Sequence, residues 1–139
     1  MDIKVTQNSK QPLAHAVGRR KASVARVWLR RGSGNIIVND KVYTEYFDTD
    51  VARLAAYQPF EVYPTGAKHY DVTANVRGGG LRGQADAIKL AISRALLKEN
   101  ETIKPILKEY KLLTVDSRLK ERKKYGQKGA RRKFQFVKR

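Results

Sequence analysis

Between residues 21 and 31 the chain alternates. Ser23, Ala25, Val27 and Leu29 fall on one side, and Arg26, Trp28 and Arg30 fall on the other. Successive side chains of a strand point to opposite faces, so this period of two predicts a half-buried β-strand. Gly32-Ser33-Gly34-Asn35 reads as a turn into a short strand at Ile36, Ile37 and Val38, which makes a hairpin, and Asn39-Asp40-Lys41 turns again. Residues 43–47 are aromatic and ambiguous. Asp48 or Thr49 can cap a helix reaching about Gln58, with Val51, Leu54 and Ala55 inward and Pro59 as its stop. Residues 60–63 read as a strand and Pro64-Thr65-Gly66 as a turn. A cleaner strand follows, with Tyr70, Val72, Ala74 and Val76 on one face and Asp71, Thr73, Asn75 and Arg77 on the other, ended by Gly78-Gly79-Gly80.

From about Gly83 to Asn100 the period changes to that of a helix. Ala85, Ile88, Ala91, Ile92, Ala95 and Leu96 recur at i, i+3, i+4, with Lys89, Ser93 and Lys98 off the stripe. Thr102 caps a shorter helix carrying Ile103, Ile106, Leu107 and Tyr110, with Pro105 in its first turn. Thr114 and Val115 close the globular part. The order hairpin, helix, strand, helix, helix predicts an α+β fold, a two-layer sandwich with helices on one face of an antiparallel-rich sheet. The expected organisation is a flexible N-terminal arm (1–13), a globular domain (14–115) and an extended basic tail (116–139).

Charge decides which partners are worth considering. The 139 residues carry 30 Lys or Arg against 13 acids, a net +17. Residues 116–139, DSRLKERKKYGQKGARRKFQFVKR, hold eleven of those cations and two acids, a net +9 that leaves +8 on the rest. Such a bias opposes compaction unless a polyanion neutralises it. Nucleic acid fits better than a membrane. No stretch approaches the roughly 20 apolar residues of a spanning helix, and the tail has no apolar stripe to insert. Cysteine is absent, which removes disulfides, thiolate chemistry and Cys-based zinc sites. The first 14 residues show no signal or transit pattern.

Three features carry candidate chemistry. Gly78-Gly79-Gly80-Leu81-Arg82-Gly83 satisfies G-x-G-x-x-G between a strand and a helix, the context of a dinucleotide fold. The preceding strand alternates, however, where a central parallel strand should be apolar throughout. Two compatible readings remain: a tight turn that only glycine can make, and a phosphate cradle at a helix N-terminus, formed by Gly79 and Gly80 and flanked by Arg77 and Arg82. Arg19, Arg20 and Lys21, continued by Arg26, read as a face toward nucleic acid. Trp28 points outward beside them or lies under a helix. His15 and His69 stand alone, and no acid, serine or histidine shows a catalytic partner, so an enzyme is not expected, nor a cofactor or metal.

In the tail, Tyr125, Phe134 and Phe136 are interleaved with Arg122, Lys123, Lys124, Lys128, Arg131, Arg132 and Lys133. Cations hold phosphates and flat rings stack on bases. Gly126 and Gly129 let the backbone bend. The segment reads as an extension that orders on RNA.

GRRKASVARV from residue 18, VRGGGLRGQADAIKLAISRAL from residue 76, and the ending GARRKFQFVKR within the tail, in that order, resemble the family of the universal ninth protein of the small ribosomal subunit, in its bacterial-type form. The resemblance implies a mixed sheet of the ribosomal S5 domain 2-like kind with a left-handed β-α-β crossover. It implies a structural, non-enzymatic role in translation. The body would bind the 3′ major domain of the small-subunit rRNA beside neighbouring small-subunit head proteins. Lys128, Arg131, Arg132, Gln135 and Phe136 would line the rRNA path, and Lys138 and Arg139 would reach tRNA in the peptidyl site. Val137 stands where many relatives have Ser. The expected location is the cytoplasmic ribosome, with an organellar one also compatible. The competing class is a free-standing basic nucleic-acid-binding protein.

Overall fold

The computed structural model describes residues 11–135. Among these residues five strands form one mixed sheet: β1 (Ala14–Arg20), β2 (Ser23–Arg31), β3 (Ile36–Val38), β4 (Lys41–Val42) and β5 (Tyr70–Arg77), in the order β1-β2-β5-β3-β4. Helices α1 (Tyr43–Tyr46), α2 (Asp50–Val62) and α3 (Pro64–His69) lie between β4 and β5. α4 (Leu81–Glu99), a 3-10 turn (Glu101–Ile103) and α5 (Lys104–Glu109) follow β5. α4 crosses β1 and β2 and packs against α2, which makes the two layers.

The hairpin is not where the local pattern put it. β2 pairs antiparallel with β1 on one side and with β5 on the other, so β3 cannot reach it. β3 lies parallel to β5, Ile36 opposite Val72, and turns back into β4 through Asn39 and Asp40. Both turn residues have positive φ (46° and 67°), as a type I′ turn requires. The reason for the reordering is length. β5 offers eight alternating residues that match β2 along its whole run, against three in β3. The loop leaving β2 is held by β5: one Asp71 carboxylate oxygen accepts the N–H groups of Ser33, Gly34 and Asn35, each at 3.0 Å. Asp71→Ala leaves those donors without their charged acceptor. We expect it to cost about 2 kcal/mol, read as a lower urea midpoint at unchanged slope.

β1 is a strand that the local pattern does not predict, and the basic cluster 18–21 belongs to it and to its turn rather than preceding the sheet. Its inward residues are Ala14, Ala16 and Gly18, too small to signal burial. They are small because α4 runs close over them. A Cβ on Gly18 would sit 2.0 Å from the Ala87 carbonyl oxygen and 2.6 Å from the Ala91 nitrogen. The outer edge of β1 is covered as well: Arg94 donates to the Val17 carbonyl at 2.9 Å and Lys98 to that of His15 at 2.6 Å. Cations spent this way block strand addition at the edge.

α2 keeps an expected cap but departs from expectation beyond it. Thr49 caps it, accepting the Ala52 N–H. Its buried face, however, is Ala52, Ala55, Ala56, Pro59 and Phe60, while Val51 and Leu54 are 57% and 59% exposed. The alanines let α2 approach α4 closely, and that rotates the larger residues outward. The helix also runs through Pro59 to Val62, so residues 60–62 are helical rather than a strand, Tyr63 caps the helix, and residues 64–66 begin α3. Burial of Pro59 and Phe60 offsets the hydrogen bond that proline cannot make.

α4 buries its predicted stripe and, beyond it, Gln84, Ala87, Leu90 and Ser93. Ser93 is fully buried, its hydroxyl donating to the Lys89 carbonyl at 2.8 Å. Beyond α4 the cap is Asn100, whose side chain accepts the Thr102 N–H and hydroxyl. Ile103 and Leu107 enter the core, while Ile106 and Tyr110 stay exposed. No described helix is long and apolar enough to cross a membrane.

Candidate nucleic-acid interface

The helices cover one face of the sheet, and the register determines what the other face carries. Across β1, β2 and β5 the opposed pairs are His15 and Trp28, Val17 and Arg26, Arg19 and Val24, Arg26 and Asn75, and Val24 and Arg77. Arg19, Arg26 and Arg77 are therefore neighbours on one exposed face, with Lys21 (φ 53°) at the hairpin turn beside them. Arg30 shares that face, donating to the Thr73 hydroxyl at 3.2 Å. Trp28 sits on it too, half-buried, its ring 5.1 Å from that of His15 and tilted by 41°. The indole therefore lies away from the helices. The contribution of His15 was invisible in the sequence because the strand that carries it was.

Arg20 points the other way. It lies on the helix side of β1, its side chain only 13% exposed, and its guanidinium gathers the start of the tail. It donates to the carbonyls of Asp116 (3.2 Å) and Arg118 (3.1 Å) and pairs with the Asp116 carboxylate at 3.1 Å and with Asp86 at 3.7 Å. A groove of about 380 Å³ at this point is lined by Arg19, Arg20, Asp86, Lys89, Lys111 and Asp116, among others. Arg20 thus sets where the tail leaves the body instead of facing outward. The Arg118 guanidinium bonds the Asp116 carboxylate through two nitrogens. With the Arg118 N–H and the charge of Arg20, it holds that carboxyl far below the ordinary range. The lowered value stabilises the ordered root above the ordinary carboxylate pKa, and the stabilisation is lost only as pH falls through the lowered one. Arg20→Gln should leave the fold intact and free the root, seen as faster tryptic cleavage after Arg118 at neutral pH. Cleavage at the wild-type rate would contradict this role.

The glycine turn is fastened from several sides. Gly78 and Gly79 have φ of 78° and 65°. A Cβ on Gly78 would meet the Ala22 carbonyl oxygen at 2.5 Å, and one on Gly79 the Ser23 hydroxyl at 2.2 Å. The Gly78 carbonyl accepts from Ser23 (2.9 Å) and from Gln84 (3.1 Å), and Gln84 in turn accepts from Tyr46 at 2.6 Å. The turn reading therefore accounts for both residues. Gly80 is different: its φ is −90° and nothing lies within 4 Å of where its Cβ would be. It caps α4 without a side chain, between exposed Arg77 and Arg82. Arg82 pairs loosely with Asp86 at 3.7 Å.

The tail leaves this root extended and then closes a small loop. Gln127 and Lys133 form an antiparallel bridge, and the Lys128 N–H donates to the Arg132 carbonyl at 2.7 Å. Gly126, at φ 67°, turns the chain into it. Glu121 joins Lys124 and, at 3.0 Å, Arg131; hydrogen bonding from Lys124, then from Arg131, lowers its pKa. Arg122 bonds the Lys123 carbonyl. Tyr125 is 97% exposed and Phe134 50%. Lys123, Lys124, Lys128, Arg131, Arg132, Lys133 and Gln135 are exposed beside them. Phe136, Lys138 and Arg139 lie outside the described residues.

An α+β body with a basic open face and a cationic, aromatic tail is the form of a nucleic-acid-binding protein. The family model for ribosomal protein S9/S16 matches residues 18–139, and the chain belongs to that family. It is similar to the small ribosomal subunit protein uS9 of Methylacidiphilum infernorum, 50% identical over 135 residues that cover 97% of this chain and 96% of that one. It is 49% identical to the uS9 of Syntrophobacter fumaroxidans, covering 90% and 95%, and 51% identical to that of Thermotoga neapolitana, covering 90% and 95%. The family is one of structural, non-enzymatic ribosomal components.

Proposed function

We propose that the protein is a structural constituent of the small ribosomal subunit, working on the bacterial-type ribosome of the cytoplasm, that holds folded rRNA of the subunit head and reaches tRNA in the peptidyl site. The body lays Arg19, Lys21, Arg26 and Arg77 against phosphates of the 3′ major domain, with neighbouring head proteins at its flanks. Gly79, Gly80 and Arg82 add the helix N-terminus to that surface. Arg20 aims the tail. Arg122, Lys123, Lys124, Tyr125, Lys128, Arg131, Arg132, Lys133, Gln135 and Phe136 follow the RNA, and Lys138 and Arg139 extend to the tRNA.

The observation that carries this reading is Tyr125, left 97% exposed in a run of cations. An aromatic ring there has no role in the body's core, whereas against RNA it finds a base to stack on. If the tail neutralises about six phosphates of single-stranded RNA, log K falls with log salt at a slope of about −4. The protein should also cosediment with small subunits and resist a salt wash. A flat salt dependence would remove charge as the source of binding. Equal affinity for duplex DNA and loss in the wash would favour a free-standing nucleic-acid module.

A further inference from the structure

We propose that Trp28 and His15 form a base-stacking platform on the open sheet face, which takes one or two unpaired RNA bases while Arg19, Arg26 and Arg77 hold the flanking phosphates. The proposal rests on the RNA-binding reading above and goes beyond it by giving the sheet face a distinct task. Its first support is position. The tryptophan stands on the face that no described helix covers, in the middle of β2, with its partner ring across the β1–β2 ladder. Its second support is what surrounds it. Val17, Val24 and Ile37 share this face, Ile37 across Thr73 from the indole, and arginines are interspersed with them at positions 19, 26 and 77. The one acid on this face of β5, Asp71, has an oxygen occupied by three loop amides.

The charge therefore suits a polyanion, and the flat rings suit the bases of one. A protein partner would need acids to match three arginines, and duplex RNA would present no unstacked base. Stacked bases suit any ring, so the platform should tolerate sequence and prefer single strands.

Trp28 is the only tryptophan in the chain, so its emission reports on this face alone. The full-length protein is titrated with single-stranded oligoadenylate and with an RNA duplex of equal length. Total binding is followed separately by the anisotropy of a labelled strand. The single strand is expected to quench Trp28 in a saturable way and the duplex to leave it unchanged. Arg26→Glu should raise the concentration for half-quenching on the order of tenfold, with far-UV circular dichroism confirming the fold. Arg26→Gln, a milder change, should fall between. Binding by anisotropy with unchanged Trp28 emission would overturn the platform while leaving tail-mediated RNA binding in place. No binding by either readout would overturn both. A photoreactive group at position 28 in assembled small subunits should give nucleotide adducts, and peptide adducts would assign the face to a protein neighbour.

Discussion

Ribosomes carrying the protein without residues 128–139 should hold tRNA in the peptidyl site less tightly, although the truncated body folds and assembles as before. The removed residues include Lys128, Arg131, Arg132, Lys133, Lys138 and Arg139, six cations with no acid among them. Lys128 and residues 131–135 are exposed, and the bridge from Gln127 to Lys133 closes within the tail. The core residues, from Ala14 to Leu112, are all retained. Thermal unfolding of the shortened protein should therefore match that of the full chain. Dissociation of tRNA from the peptidyl site should quicken, and the gap between the two ribosomes should narrow as salt screens the lost charges. Equal tRNA retention in both would remove the tail end from that site.

A second large effect is expected where α4 packs on β1. Gly18→Val places two methyl groups where even one Cβ would lie 2.0 Å from the Ala87 carbonyl oxygen. Backbone stands on both sides of the contact, so neither can turn aside as a flexible side chain would, and α4 must lift from β1. Overpacking commonly costs about 1–3 kcal/mol and here should reach the top of that range or exceed it, out of a total near 5–15 kcal/mol. The midpoint of thermal unfolding should fall by about 10 °C. Gly80→Ala is the contrasting substitution. Its φ is ordinary and the space beside it open, so stability should hardly change. If Gly80 meets a phosphate, RNA affinity should fall.

The sequence conveyed the long-period features faithfully and the close-packed ones poorly. β2, β5 and α4 were legible because each is long enough for its period to stand out and each buries large side chains on one face. β1 was not, because the approach of α4 restricts it to Ala14, Ala16 and Gly18, and small residues look neither apolar nor alternating. The inward face of α2 was misread for the same reason, since Ala52, Ala55 and Ala56 pack inside and turn Val51 and Leu54 to the surface. Sheet order was beyond local reading. The pairing of β2 with β5 spans some forty residues, while the hairpin it displaced was suggested by an adjacent turn.

The candidate interface was legible as chemistry rather than as geometry. The cations and rings of the tail could be named from composition. That Arg20 turns inward to hold Asp116, while Arg19 and Arg26 face out, depended on a strand register the sequence did not reveal. The meeting of His15 with Trp28 depended on the same register.

If the basic tail takes its lasting shape from RNA, its amides are protected by assembly and not by folding of the free chain. Amide hydrogen exchange across residues 116–135 tests it most directly, in the free protein and in assembled small subunits. Fast exchange is expected in the free protein beyond the root that Arg20 holds, and strong protection along the whole segment after assembly. Equal exchange in the two states, whether fast in both or slow in both, would contradict it.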